Sequence, residues 1–164
     1  MPAEAVDITR LQRRAWSAHP ATADVLRTMA ADEMARSWHD AILRPPLAHF
    51  RVLVAIDEQR QVTGFTVIGP SPDDDAVTTE GQIAEFIVDE EGLEHSSRLV
   101  NAAVDTLRTD GYETATIWLA ADDDERRQFF TECGWAPDGA HREIGSEDET
   151  ARMKMIRLHT DIRA

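Results

Sequence analysis

Apolar residues recur along this chain in two rhythms, and the change from one to the other divides it. From residue 7 to 45 the spacing is three or four. Ile8, Leu11, Ala15 and Trp16 make one helical stripe, which His19-Pro20 breaks. Val25, Leu26 and Met29 make a second, with Thr22 as its expected cap, and Met34, Ala35, Trp38 and Ile42 a third behind Asp32. Arg44-Pro45-Pro46 ends this part. Residues 6–9 are the one stretch before it that could open a sheet. From residue 50 onward the pattern shortens to that of strands. Residues 50–56 and 61–68 are two strands joined by the polar turn 57–60, a hairpin, and Gly64 marks a bulge or a close backbone approach. Gly69 to Asp75 is a loop.

The centre of the chain carries the strongest pattern. Ile83, Ala84, Phe86, Ile87 and Val88 form an apolar run interrupted only by Glu85, a buried strand. Leu99, Val100, Ala103, Val104 and Leu107 then line one face of a helix, with Gly111 placed for an αL cap. A strand turning into a helix N-terminus gathers free N–H groups and the positive dipole end, so an anion is expected there. Residues 112–120 alternate as the next strand. Asp122 and Glu125 are spaced as a capping box, Phe129, Phe130 and Cys133 form an apolar helix face, and Gly134 stops it. A turn at 135–139, a strand at 141–144, an acidic loop at 146–150 and a strand at 153–159 complete the chain. There is no internal repeat.

Composition narrows this picture. A chain of 164 residues fits one domain with a core of its own. No apolar run reaches the ~18 residues of a membrane span, and the first residues lack a signal pattern. The single cysteine, Cys133, excludes an intrachain disulfide and suits a reducing, cytoplasmic setting. A net charge of −14 argues against nucleic acid and anionic membranes as partners. The histidines at 19, 39, 49, 95, 141 and 159 have no ligand spacing, so no metal is expected.

The central unit resembles the core motif of the GCN5-related N-acetyltransferases, the GNAT superfamily. There a strand leads into a [Gln/Arg]-x-x-Gly-x-[Gly/Ala] loop and a helix, and the loop N–H groups hold the pyrophosphate of acetyl-CoA. The matching residues are Glu91-Gly92-Leu93-Glu94-His95-Ser96, followed by Ser97-Arg98-Leu99-Val100. Glu91, Glu94 and Ser96 depart from the pattern, and the turn is shorter. A second likeness lies nearer the end, where Asp123 replaces the family's Asn, Phe129-Phe130 its Phe-Tyr pair, and Gly134-Trp135 its Gly-Phe. The resemblance runs from about residue 50 and implies an α/β (α+β) fold. It comprises a central mixed, mostly antiparallel sheet flanked by helices, in a single domain over 1–164. Residues 1–46 form its helical part and 47–164 its sheet core. It further implies acetyl-CoA as co-substrate and a primary amine, on a small molecule or peptide, as acceptor. A homodimer is an assembly it allows.

For such a reaction the protein must position an amine against a thioester and remove a proton. Glu85, alternating with Ile83 and Ile87 and facing away from Phe86, is the expected general base. A carboxylate among apolar neighbours is costly unless paired or facing a cleft, and partial burial raises its pKa toward a useful range. The bland reading is a glutamate paired with an arginine on the sheet face. By resemblance, backbone at Phe86, Ile87 and Val88 pairs with the pantetheine arm. Gly92, Leu93, Glu94, His95, Ser96, Ser97 and Arg98 hold the pyrophosphate, and Asp123 and Phe130 complete the cofactor side. A glutamate about 4 Å from a phosphate charge costs roughly 1 kcal/mol in water and about 4 kcal/mol at an effective dielectric near 20. Against that stand the helix N-terminus, the hydroxyls of Ser96 and Ser97, and Arg98. The bland reading is that Ser96 or Ser97 caps the helix, with Glu91 and Glu94 favourable beside it.

Phe130 lacks the hydroxyl with which the family's tyrosine protonates the departing thiolate. Residues 73–75 and 122–125 read as solvated loop and cap carboxylates, or as an acidic rim for a cationic amine. Trp16 and Trp38 read as core, or as walls of the acceptor pocket. Tyr112 reads as packing and Cys133 as an inert thiol on a helix face. Two functions follow: an N-acetyltransferase, or a non-catalytic GNAT-fold module that assembles through an exposed sheet edge. Glu91, Glu94 and Phe130 point to the second.

Overall fold

A computed structural model describes residues 3–145, 148 and 150–164, including the backbone but not the side chain of Glu91. The acidic loop expected at 146–150 therefore lies largely outside the described residues. Three helices come first: α1 (Ala3–Ser17), α2 (Pro20–Thr28) and α3 (Ala31–Leu43). Strands β1 (Arg51–Ile56), β2 (Val62–Pro70) and β3 (Glu80–Val88) follow, then a 3-10 helix (Glu90–His95) and α4 (Ser96–Thr109). The chain closes with β4 (Thr114–Ala120), α5 (Asp124–Glu132), β5 (Ala136–Gly145) and β6 (Arg152–Asp161).

The stretch 6–9 is helical, because Ala5, Ile8 and Leu11 share one buried stripe of α1. Two expected caps are replaced. His19 caps α2 by accepting a hydrogen bond from the Ala21 N–H, while the Thr22 hydroxyl donates back to the Trp16 and His19 carbonyls. Asp32 sits in the first turn of α3, behind Ala30. α4 ends as its pattern predicts. Gly111 takes φ 97°, and the Gly111 and Tyr112 N–H groups reach the Arg108 and Leu107 carbonyls.

The strands form one six-stranded sheet in the order β1-β2-β3-β4-β6-β5. All neighbours run antiparallel except β3 and β4. On one face α1 and α3 cover Phe65, Val67 and Ile87 with Ile8, Leu11, Trp38 and Ile42. On the other, α4 and α5 bury Leu99, Val100, Ala103, Leu107 and Phe130 against Ile68, Ile83, Ala115, Ile117 and Leu158. α2 lays Ala21 on Met153 and Met155.

Two irregularities in β3 matter. Its pairing with β2 shifts, with Val67 opposite Glu85 but Ile68 opposite Ile83, so Ala84 is an extra residue in a bulge. The bulge reverses the expected alternation: Ile83 and Phe86 fall in the same core, and Ile87 in the other. Glu85 therefore does not share a face with Ile83. Pairing between β3 and β4 stops at Ile83 opposite Ile117, although β3 continues to Val88 and β4 to Ala120. The two parallel strands part there, leaving an opening in the sheet.

Candidate functional site

The opening exposes a strand edge. From Ala84 to Val88 the β4 side of β3 has no strand partner among the described residues, so its peptide groups can pair with an extended ligand. Phe86, Ile87 and Val88, expected to meet a pantetheine arm, all lie on this segment. Glu85 is held beside it from the helical layer. Gln12 of α1, itself buried, donates to the Glu85 Oε1 at 3.5 Å and accepts from the Trp38 Nε1 of α3 at 2.9 Å. Trp16 adds a further hydrogen bond to Glu85. Trp38 is fixed in turn by an edge contact with Phe65, ring centres 5.5 Å apart. Both tryptophans thus serve the carboxylate, which neither sequence reading anticipated.

Burial pushes the Glu85 pKa up, and the charge of Arg126 with the Gln12 and Trp16 hydrogen bonds opposes that rise. Arg126 stands in the first turn of α5, just past the end of β4. Nearby charges are Asp123 and Glu85, and burial lowers its pKa although part of it stays exposed. Asp123, rather than Asp122, caps α5: its carboxylate accepts from the Arg126 backbone N–H at 3.1 Å. Gln12 and Arg126 were not singled out from the sequence. The one available signal was Gln12, a polar residue four positions from Ile8 on an otherwise apolar stripe.

Phe130 lies elsewhere. It is fully buried, edge-on to Phe86, Phe129 and Trp135 with ring centres 5.3, 5.2 and 5.5 Å away. It anchors α5 to the β3 side of the opening and presents no surface to a ligand. Cys133 is exposed at the end of α5 rather than on its apolar face.

The turn expected to cradle pyrophosphate has a different structure. Its residues wind into the 3-10 helix, whose cap is Asp89, and α4 continues from it with His95 at the cap position and no side-chain cap bond, so neither Ser96 nor Ser97 caps α4. The Asp89 carboxylate accepts from the Glu90 N–H at 2.8 Å, the Gly92 N–H donates to the Asp89 carbonyl, and the Ser96 N–H to the Leu93 carbonyl. Arg14 at 3.0 Å and Arg10 at 3.6 Å neutralise Asp89 from α1. Gly92 is glycine because of β2: an added Cβ would lie 2.6 Å from the Thr63 Cβ. Leu93, Glu94, Ser97 and Arg98 are exposed, and Ser96 is buried. Arg98 bonds the His95 Nδ1 at 2.7 Å, and both line a groove of about 430 Å³ between α4 and β1. The fit to acetyl-CoA is therefore divided. The free edge of β3 suits an extended amide arm, whereas the turn lacks an open backbone cradle and offers Arg98 as its exposed cation.

The acidic loop after β2 is solvated only in part: Asp74 and Asp75 are exposed as expected, whereas Asp73 is drawn inward. Arg157 of β6, almost fully buried, binds Asp75 through two nitrogens at 2.7 Å each, Asp73 at 3.0 Å and Asp138 at 2.6 Å. These carboxylates hold its pKa well above the usual arginine value. Asp73 also accepts from the Trp118 indole at 3.0 Å, and Arg142 covers that ring at 4.2 Å. This cluster ties the loop to β4 and β6. Among the described residues there is no group of metal-ligating side chains and no helix long and apolar enough to cross a membrane.

No family model and no curated protein sequence matches the chain. Solved structures do. A ribosomal-protein-alanine N-acetyltransferase from Brucella melitensis superposes with a TM-score of 0.76 at 14% identity, over 98% of this chain and 96% of that one. An N-acetyltransferase from Staphylococcus aureus gives 0.75 at 16% identity, over 96% and 92%. The yncA protein of Salmonella typhimurium, solved with its cofactor acetyl-CoA, gives 0.73 at 16% identity, over 99% and 90%. The fold is that of the GNAT acetyltransferases.

Proposed function

We propose that this GNAT-fold chain is an N-acetyltransferase, moving an acetyl group from acetyl-CoA to a primary amine of a small molecule or peptide. One observation carries the reading: a carboxyl of raised pKa, held by two helices, stands where the parting of β3 and β4 frees a strand edge. In that reading Glu85 takes the proton of the acceptor amine. Gln12 and Trp16 fix the orientation of its carboxylate, and the positive charge of Arg126 favours its ionised form. Acetyl-CoA, when bound, supplies the acyl group and a thiolate leaving group. Phe86, Ile87 and Val88 would hold its arm, and Arg98 would face its phosphates. The chain offers no tyrosine proton donor at Phe130. The proposed setting is the cytoplasm, with a metal-independent reaction.

The wound, self-capped turn after Asp89 favours a second reading, a GNAT-fold assembly module that no longer uses acyl-CoA. Calorimetric titration with acetyl-CoA and CoA separates the two. Micromolar binding, weakened by Arg98→Glu, is the expected result. No heat and no thermal shift at millimolar ligand would remove the enzyme reading and leave the module.

A further inference from the structure

The two edges of the sheet are unlike. β5, at one end, is guarded against pairing: it carries Pro137, Asp138, His141, Arg142 and Glu143, and a bulge interrupts it between Pro137 and His141. β1, at the other end, reads Arg-Val-Leu-Val-Ala-Ile, with no proline and a single charge at its first residue. That charge is already engaged, since Arg51 binds both oxygens of Asp110 at 2.7 and 2.9 Å. Along the outer side of β1, alternate peptide groups meet no strand among the described residues. An edge of this kind is a template for another extended chain.

The groove between α4 and β1 runs along this edge. Leu53 and Ala55 turn toward α4 and form its floor with Leu99 and Ala102. Val52 and Val54 pack on the opposite side of the sheet, so they line the groove through their backbone. Its two ends differ. Gly92, just before α4, packs on Thr63, whose hydroxyl donates to the Ala55 carbonyl, while Asp110, just past α4, holds Arg51. α4 thus runs back along β1, with His95 and Arg98 at the Ile56 end. Arg98 is exposed, gives one N–H to the His95 Nδ1 at 2.7 Å, and meets no carboxylate among the described residues. Glu94 comes within 3.7 Å of the His95 Nε2 but does not line the groove. On a chain of net charge −14, this is an apolar groove whose charged lining is a cation. We propose that β1 takes an extended peptide of another protein as an added strand. An Asp or Glu of that peptide is bound by Arg98, and its apolar side chains lie over Leu53, Ala55 and Ala102. A second copy of this chain is a poorer occupant, because its β1 holds no carboxylate and it brings a further charge of −14. The opening lies beyond β2 and β3, so the docking does not depend on the transferase reading. Arg98 is the one side chain shared with that reading, and the docking is therefore tested without CoA.

The test selects binders of the full chain from a random heptapeptide phage library. The recovered peptides should share an acidic residue at one end of an alternating apolar stretch. One of them is then compared, by fluorescence anisotropy, with its amide twin, in which Gln or Asn replaces the acid. Two further copies are N-methylated on alternate peptide groups, one in each phase. The amide twin should bind about tenfold more weakly. One methylated phase should fail and the other be tolerated, because only alternate groups of an added strand face β1. Bound peptide should slow amide exchange at alternate residues of 51–56. Ala102→Trp, which fills the groove from an exposed position of α4, should weaken binding about tenfold with an unchanged melting temperature. No peptide recovered, equal affinity for acid and amide, tolerance of both methylated phases, or slowed exchange elsewhere than 51–56 would each overturn the inference. A dimer in sedimentation, with 51–56 already protected in the free protein, would give the edge to a second copy and overturn it too. If Ala102→Trp does not fold, the peptide series and the exchange pattern on the wild-type chain decide.

Discussion

Glu85 shows how one residue couples stability to chemistry. Its pKa is raised in the folded protein, so the fold binds its proton more tightly than the unfolded chain does. The associated stabilisation is complete below the unfolded carboxylate value and is lost as pH rises through the folded one. Glu85→Gln, which keeps the shape and removes the charge, should therefore raise the melting temperature at pH 8 and leave it nearly unchanged at pH 4. In the transferase reading it should also slow turnover by at least ~10²-fold. A melting temperature that falls equally at both pH values would show that the charge is not the cost. Glu85 was legible in the sequence because it interrupts an apolar run. Its setting was not. Gln12 lies 73 positions away, and the extra residue at Ala84 moved Ile83 to the opposite face, which no simple alternation encodes.

Elements repeat the lesson at larger size. The β1–β2 hairpin and α4 follow directly from their patterns, the hairpin as apolar runs buried on both sides of the sheet and α4 as one buried stripe, and each ends in recognisable turn or cap residues. The turn between β3 and α4 does not, because Asp89 reads as the end of a strand while it acts as the cap of a 3-10 helix. Asp89→Ala should cost about 1 kcal/mol from the lost cap, more if Arg10 and Arg14 are left facing each other. Gly92→Ala should cost roughly 1–3 kcal/mol, because a methyl group would overlap Thr63. Urea unfolding reads both as a lower midpoint with an unchanged slope. The loop after β2 offers a third check. Arg157→Met removes the charge that three carboxylates share, and should destabilise by about 3 kcal/mol while exposing the loop near Asp74 to limited proteolysis.

At the scale of the molecule, the succession of strands along the chain was legible from residue 50 onward from local chemistry, although the fifth strand begins at Ala136, inside the expected turn. The helical start was legible as helix, and residues 6–9 show that no strand precedes β1 among the described residues. The parting of β3 and β4 was invisible, because it depends on which strands become neighbours. It gives the sheet an unusual mechanics. β1-β2-β3 and β4-β6-β5 are two three-stranded plates, whose strands pair with each other only over residues 80–83 and 114–117 among the described residues. Such a body is a pair of tongs. The pivot is stiff, because Gly81 packs so tightly that a Cβ would lie 2.8 Å from Leu107 and 3.1 Å from Tyr112. The jaw on the β3 side runs five residues beyond it, about 17 Å at a strand's rise. A tilt of a few degrees at Gly81 therefore becomes an ångström or more at Val88. A ligand seated in the gap should slow amide exchange along residues 84–88 while leaving that of 81–83 unchanged, the mark of a grip that closes at its tips.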